Sequence, residues 1–275
     1  MEARSLSPTE ARVVLSLESE GKVDLTLGEI QRRARVSRGF ARRLAHELVG
    51  KGWIQRVGRG RYLLTPSRYG PDIIPDTDPL RLGSRIAAPY YFGYATAAEL
   101  HGLLPQAGRV YYVVTPRRGS SRWPHAAQFR RVRVSHRRFF GVQWIERRGE
   151  RICVSDLDRT VLDCLTKPEL SGGLGGAVQI LHSAGARLDW ARVSRYLARM
   201  GSRSLALRLG YLSEWIGPPV EPPRDWIERT RARPREPFVP LGGPKEFGRR
   251  GEHDARWHII RNVPDTVLRA EVDVR

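Results

Sequence analysis

Three helix starts, written in nearly the same chemistry between Ser7 and Ser37, constrain this chain more than any other feature. Ser7-Pro8-Thr9-Glu10 offers a hydroxyl cap, a proline at the first helical position and a glutamate placed to close a capping box. Thr26-Leu27-Gly28-Glu29 repeats the cap and the box, and Ser37 follows as a third cap after a tight turn at Arg35-Val36. The spacing predicts helices from Pro8 to about Glu20, from Leu27 to about Ala34, and from Arg38 to Val49.

The third of these helices has two unlike sides. Ala41, Leu44, Ala45 and Leu48 recur at steps of three and four and form a packing side, while Arg38, Arg42, Arg43 and His46 stand on the other. Gly50 and Gly52 stop the helix. Trp53-Ile54-Gln55-Arg56-Val57, Gly58-Arg59-Gly60 and Arg61-Tyr62-Leu63-Leu64 then read as a β-hairpin with a glycine-flanked tip. Helix, turn, helix and basic hairpin predict a winged helix-turn-helix domain over residues 1–66.

In that architecture the second helix of the pair enters the major groove, where arginine can make two hydrogen bonds to guanine. Arg38 and Arg42 share a face near the end that reaches the bases, with Arg43 and His46 slightly round from them. Arg56, Arg59 and Arg61 cluster at the hairpin, which would lie on the phosphate backbone or dip into the minor groove, and Ser37 could present its helix's first amides to a phosphate. These eight residues are the candidate DNA-binding set. The bland alternative, a solvated basic face on a protein-docking module, stays open at this stage.

Charge agrees with a polyanionic partner. Lys and Arg number 48 against 29 Asp and Glu, a formal net charge of +19 over 275 residues. Only Lys22, Lys51, Lys167 and Lys245 are lysines, and because GC-rich coding alone favours arginine, the placement of the arginines carries more weight than their number. Cys153 and Cys164 read as small buried hydrophobes of a reducing compartment, and the sequence holds no apolar run of about 18 residues. A cytoplasmic protein away from any membrane is therefore expected.

Residues 67–80 carry Pro71, Pro75 and Pro79 and read as a linker. Beyond them, residues 81–275 predict a second, α+β domain. Its expected elements are a helix at Thr96–Leu103, strands at Val110–Thr115, Phe129–Val134, Val142–Glu146 and Ile152–Val154, and helices at Asp156–Leu165, Ala177–Ala184, Trp190–Met200 and Ser204–Ile216. Leu205, Leu209, Leu212 and Ile216 form one buried stripe on the last of these. The fold class is thus α+β: a winged helix-turn-helix followed by a larger mixed α/β domain with a helical C-terminal half. The Pro/Arg-rich segment at about 218–251 reads as poorly packed or wrapped over the surface, with a final strand at Trp257–Ile260.

No catalytic, cofactor-binding or metal-binding residue is assigned, and the chain is not expected to be an enzyme. The run Gly172-Gly173-Leu174-Gly175-Gly176 lacks the Lys-Ser/Thr of a phosphate loop and reads as a flexible connection between helices. Asp156, Asp158 and Asp163 are not read as metal ligands; Asp156 and Asp158 lie two apart at a helix start, where acids suit the dipole. His101 and His136 have no partners at ligand spacing, and Ser120 and Ser121 form no nucleophile elbow.

The chain resembles the AbiEi-type antitoxins of type IV toxin-antitoxin systems along nearly its whole length. The segments that carry the resemblance are Gly52–Tyr62, Thr96–Leu103, Arg138–Gly141, Val154–Asp163, Ser171–Gly173, Arg208–Leu212 and Arg256–Ile260 with Asn262, in that order; Asp158 departs from the pattern, where a glutamate is expected. The resemblance implies a transcriptional autorepressor that binds inverted repeats in its own operator, with a homodimer on DNA as one arrangement such repeats allow. It also implies a C-terminal domain that counters a nucleotidyltransferase toxin without a stable complex. Two other readings stay open: a stand-alone regulator whose second domain senses a ligand or oligomerises, and a DNA-processing enzyme.

Overall fold

A computed structural model of the chain describes residues 5–22, 24–65, 67, 79–86, 89–104, 110–117, 129–147 and 150–269. The chain divides into two compact units, Met1–Ala88 with Arg118–Phe129, and Pro89–Arg117 with Arg130–Arg275. The architecture is α+β, a winged helix followed by a larger mixed unit that ends in helices.

In the first unit α1 (Pro8–Ser19) opens with the predicted capping box: the Glu10 amide donates to Ser7 Oγ and the Ser7 amide to Glu10 Oε2 at 2.7 Å. A short strand, β1 (Asp24–Thr26), then runs directly into α2 (Leu27–Ala34), so Thr26 ends the strand and caps the helix at once. Arg35 turns the chain in the left-handed region at φ 54°, and α3 (Arg38–Gly50) follows from its Ser37 cap. Strands β2 (Ile54–Gly58) and β3 (Arg61–Leu64) make the expected hairpin, with a register shift between Arg56 and Gly58.

The sequence reading has no strand at Asp24–Thr26. Three residues are too few for an alternating pattern, yet β1 pairs antiparallel with β3 to complete a sheet of order β1-β3-β2. Val13, Val14, Leu17, Ile30, Ala41, Ala45, Leu48 and Ile54 are wholly buried between the three helices and this sheet. Helix α4 (Pro79–Ile86) packs against β2; most of the expected linker, residues 68–78, lies outside the described residues, as do Ser120 and Ser121.

The second unit is built on a five-stranded sheet of order β6-β5-β4-β8-β7, from β4 (Tyr91–Phe92), β5 (Tyr111–Thr115), β6 (Phe129–Arg133), β7 (Val142–Arg147) and β8 (Glu150–Ser155). The sheet is mixed: β4 runs parallel to β8, and antiparallel to β5. Helix α5 (Tyr94–Leu100) leaves β4, while α6 (Leu157–Thr166), α7 (Gly173–Ala184), α8 (Trp190–Met200) and α9 (Arg203–Ile216) form the helical half. Leu205, Leu209, Leu212 and Ile216 are all buried, as their spacing requires.

Two expectations are corrected here. Gly173 to Gly176 do not form a loop; they are the first turn of α7. A Cβ on Gly175 would stand 2.6 Å from the Val267 carbonyl oxygen, so small residues there let the backbone of α12 (Asp265–Arg269) lie on that turn. The Pro/Arg-rich segment is also packed rather than loose. It holds α10 (Arg224–Thr230), β9 (Val239–Pro240) and α11 (Pro244–Phe247), and Val220, Trp226 and Leu241 anchor it in the core.

Strand β9 pairs in parallel with β11 (Ile259–Arg261), which pairs antiparallel with β10 (Glu252–Asp254). The final strand therefore begins two residues later than expected. Trp257 sits before it, 1% exposed, against the flat side of α9 left by Gly210, where a Cβ would meet its ring at 2.1 Å.

Candidate nucleic-acid interface

The geometry of the first unit follows from two fastenings. Lys51, at the C-terminal cap of α3, donates to both oxygens of the buried Glu10 at 2.8 and 3.0 Å, so the end of α3 is tied to the start of α1. At the hairpin tip, the Leu27 amide donates to the Gly60 carbonyl at 2.9 Å, tying the wing to the start of α2. Gly60 adopts φ +68°, a conformation that only glycine enters freely.

Between α3, the start of α2 and the wing lies a cleft of about 840 Å³. Arg38, Arg42 and His46 line it from α3, at successive turns of one face, and Arg56 and Arg59 line it from the wing. Ala45, Val49 and Tyr62 form its apolar floor, and Thr26, Leu27 and Gly28 close one side. Five of the eight residues chosen from the sequence thus converge on one concavity.

The other three flank it. Ser37 accepts the Phe40 amide at 3.3 Å, so its hydroxyl serves the helix. The Arg43 guanidinium stands over the Phe40 ring at 5.3 Å from its centroid. Arg61 is exposed on β3, where its register partners are Thr26 and Gly58.

Three carboxylates of the unit are held by cations outside the cleft. Lys22 holds Glu29, Arg33 holds Glu20 through bonds of 2.6 and 2.8 Å, and Lys51 holds Glu10. Burial raises the Glu29 carboxyl, but the Lys22 ammonium and the Thr26 amide and hydroxyl outweigh it and hold it at about 2. Burial likewise raises Glu10, and Lys51 and Ser7 outweigh that to bring it below its ordinary value. Arg38, Arg42, Arg43, Arg59 and Arg61 are exposed, and none has a carboxylate partner among the described residues. The exposed guanidinium groups of Arg38, Arg42 and Arg59 in the cleft are placed to meet an external anion.

Sequence reasoning missed three parts of this surface. Gly28 and Tyr62 line the cleft although neither carries charge, and Phe40 is 40% exposed on the reading helix. An exposed aromatic two residues from an arginine is a signal that the apolar pattern alone discards.

Asp156, Asp158 and Asp163 of the second unit each hold neighbouring parts of the fold. Asp156 caps α6 by accepting the Arg159 amide at 2.8 Å, and accepts the Tyr196 hydroxyl at 2.6 Å. Asp158 accepts the Asp189 amide and pairs with Arg192, both at 2.9 Å. Asp163 pairs with the buried Arg159 at 2.9 Å, and Arg159 also donates to the Phe140 and Arg138 carbonyls. Burial pushes the Asp163 carboxyl up, with Arg159 pulling against it. Nor is His101 idle, for its Nε2 meets the Ser155 carbonyl at 2.7 Å.

Residues 5–61 match the family model described as MarR family. No curated protein matches the chain. Among solved structures, the chain is similar to the RV2827C protein from Mycobacterium tuberculosis, at 18% identity and a TM-score of 0.66, over 98% of this chain and 97% of that one. No helix among the described residues is long and apolar enough to cross a membrane. The N-terminal unit is a MarR-like winged helix, a DNA-binding type of domain that transcriptional regulators carry, and the two-unit fold as a whole recurs in the mycobacterial protein.

Proposed function

We propose that the chain is a transcriptional autorepressor that reads operator DNA with α3 in the major groove and the β2–β3 wing on the backbone, and that its second unit acts as the antitoxin to a nucleotidyltransferase toxin. The observation that carries the DNA-reading part is the convergence of Arg38, Arg42, His46, Arg56 and Arg59 on one cleft. Exposed guanidinium groups at helical spacing match the donor geometry that guanine edges and phosphates accept. Arg38 and Arg42 read bases; Arg56, Arg59 and Arg61 follow phosphates; Arg43, His46 and Ser37 flank them. Two copies meet the two halves of an inverted repeat. The chain works by binding, with no chemistry of its own, and in the cytoplasm.

The antitoxin part rests on the ordered segments shared with AbiEi-type antitoxins, most of which fall in the second unit. Val154–Asp163, for instance, spans the end of β8 and the buried Arg159 pair. Expression of the neighbouring reading frame alone and together with this chain tests it. A nucleotidyltransferase that stops growth alone and is tolerated with the chain present is the expected result. A neighbour of another kind, or toxicity that the chain does not relieve, overturns the antitoxin reading and leaves a stand-alone regulator.

A further inference from the structure

Position 39 of the reading helix is a glycine that the fold does not require. Its φ is not in the left-handed region, and a Cβ placed on it would meet nothing within 4 Å. Gly210 and Gly175 are different, since a Cβ on either would collide with Trp257 or with the Val267 carbonyl. Inside a helix, glycine is the weakest choice after proline, so alanine at 39 would hold α3 better.

The place of this glycine is specific. Ala41, Leu44, Ala45 and Leu48 face the core, and at 3.6 residues per turn Gly39 lies about 170° round from the centre of that side. It is the crown of α3, in the first turn. Arg42 and His46 stand on one shoulder, and Arg43 with the 40%-exposed Phe40 stands on the other. The crown is thus a notch between a basic wall and an aromatic one, at the end of the helix that reaches base edges.

We infer that Gly39 determines DNA recognition by vacancy: its Cα is the point at which α3 comes nearest to a base-pair edge, and a methyl there would hold the helix off. This rests on the DNA-reading function proposed above. A carbon placed about 1.5 Å beyond Cα lifts the helix by a comparable amount. Hydrogen bonds of about 2.9 Å from Arg38 and Arg42 then stretch past bonding distance.

The test compares Gly39→Ala with Gly50→Ala in the full chain. Gly50 is the last residue of the same helix, and a Cβ there also meets nothing within 4 Å; it lies about 16 Å further along the axis. Wild-type chain selects duplexes from a random-sequence library, and the selected duplex is titrated with each variant by fluorescence anisotropy, beside thermal unfolding. Both substitutions should raise the unfolding midpoint. Only Gly39→Ala should weaken binding, by about tenfold or more, the loss of one bidentate base contact. Binding by Gly39→Ala equal to wild type, equal weakening by Gly50→Ala, or weaker binding with a lowered unfolding midpoint would each overturn the inference while the DNA-reading function stands. If wild-type chain selects no duplex, that function falls and the inference with it.

Discussion

Glu29 shows how much one side chain of the winged helix does. It closes the capping box of α2 through the Thr26 amide at 2.8 Å, and it holds Lys22. Burial works against its charge, the partners win, and the carboxyl rests at about 2 against an ordinary 4.5. A depressed carboxylate stabilises the fold fully above its unfolded value and loses that contribution as pH falls toward the folded one. The N-terminal unit should therefore lose stability between about pH 4.5 and 2, and Glu29→Gln should be less stable at neutral pH but flatter across that window. Urea midpoints measured from pH 7 to 2.5 check this; a variant with the wild-type slope would count against it. The capping role was legible at this scale, because cap chemistry is local. The ion pairs of Glu29 with Lys22 and of Glu10 with Lys51 were not, since they join residues 7 and 41 positions apart.

Elements show the same division between local and distant causes. Helices α1, α2 and α3 could be placed from caps and period, and the hairpin from its glycines, because each signal is complete within a few residues. Strands β1, β4, β9 and β10 have two or three residues each and exist only through partners elsewhere in the chain. No periodicity could announce them. The glycine run at the start of α7 misled for a related reason: the small size of Gly175 answers the backbone of α12, not the local turn. Gly210 carries the same logic to α9, whose flat side receives the buried Trp257 and, through it, the Trp226 ring at 6.4 Å. Gly210→Ala should destabilise the second unit by about 1–3 kcal/mol, the usual penalty of overpacking a filled core. Denaturant midpoints by tryptophan fluorescence measure it, and a variant as stable as wild type would show that Trp257 can move aside freely.

Across the whole molecule, charge is sorted by use. Glu29, Glu20 and Glu10 of the first unit are held by Lys22, Arg33 and Lys51, and Asp158 and Asp163 of the second unit by Arg192 and Arg159. Arg38, Arg42, Arg43, Arg59 and Arg61 of α3 and the wing are exposed, with no carboxylate partner among the described residues. The candidate site was largely legible because its residues are near in sequence and carry charge; the floor and rim, from Gly28, Phe40 and Tyr62, were not, since they act by shape. The most direct test is a titration of wild-type chain, Arg38→Ala/Arg42→Ala and Arg59→Ala against the duplex upstream of the protein's own reading frame and a scrambled duplex, repeated over a series of salt concentrations. Wild type should prefer its own duplex, with log K falling linearly in log salt. The α3 variant should lose about 1–3 kcal/mol of that preference for each arginine, and Arg59→Ala should lower the salt slope by about 1 while keeping the preference. Variants that bind both duplexes as wild type does would contradict the assignment of α3 and the wing as the DNA-reading surface.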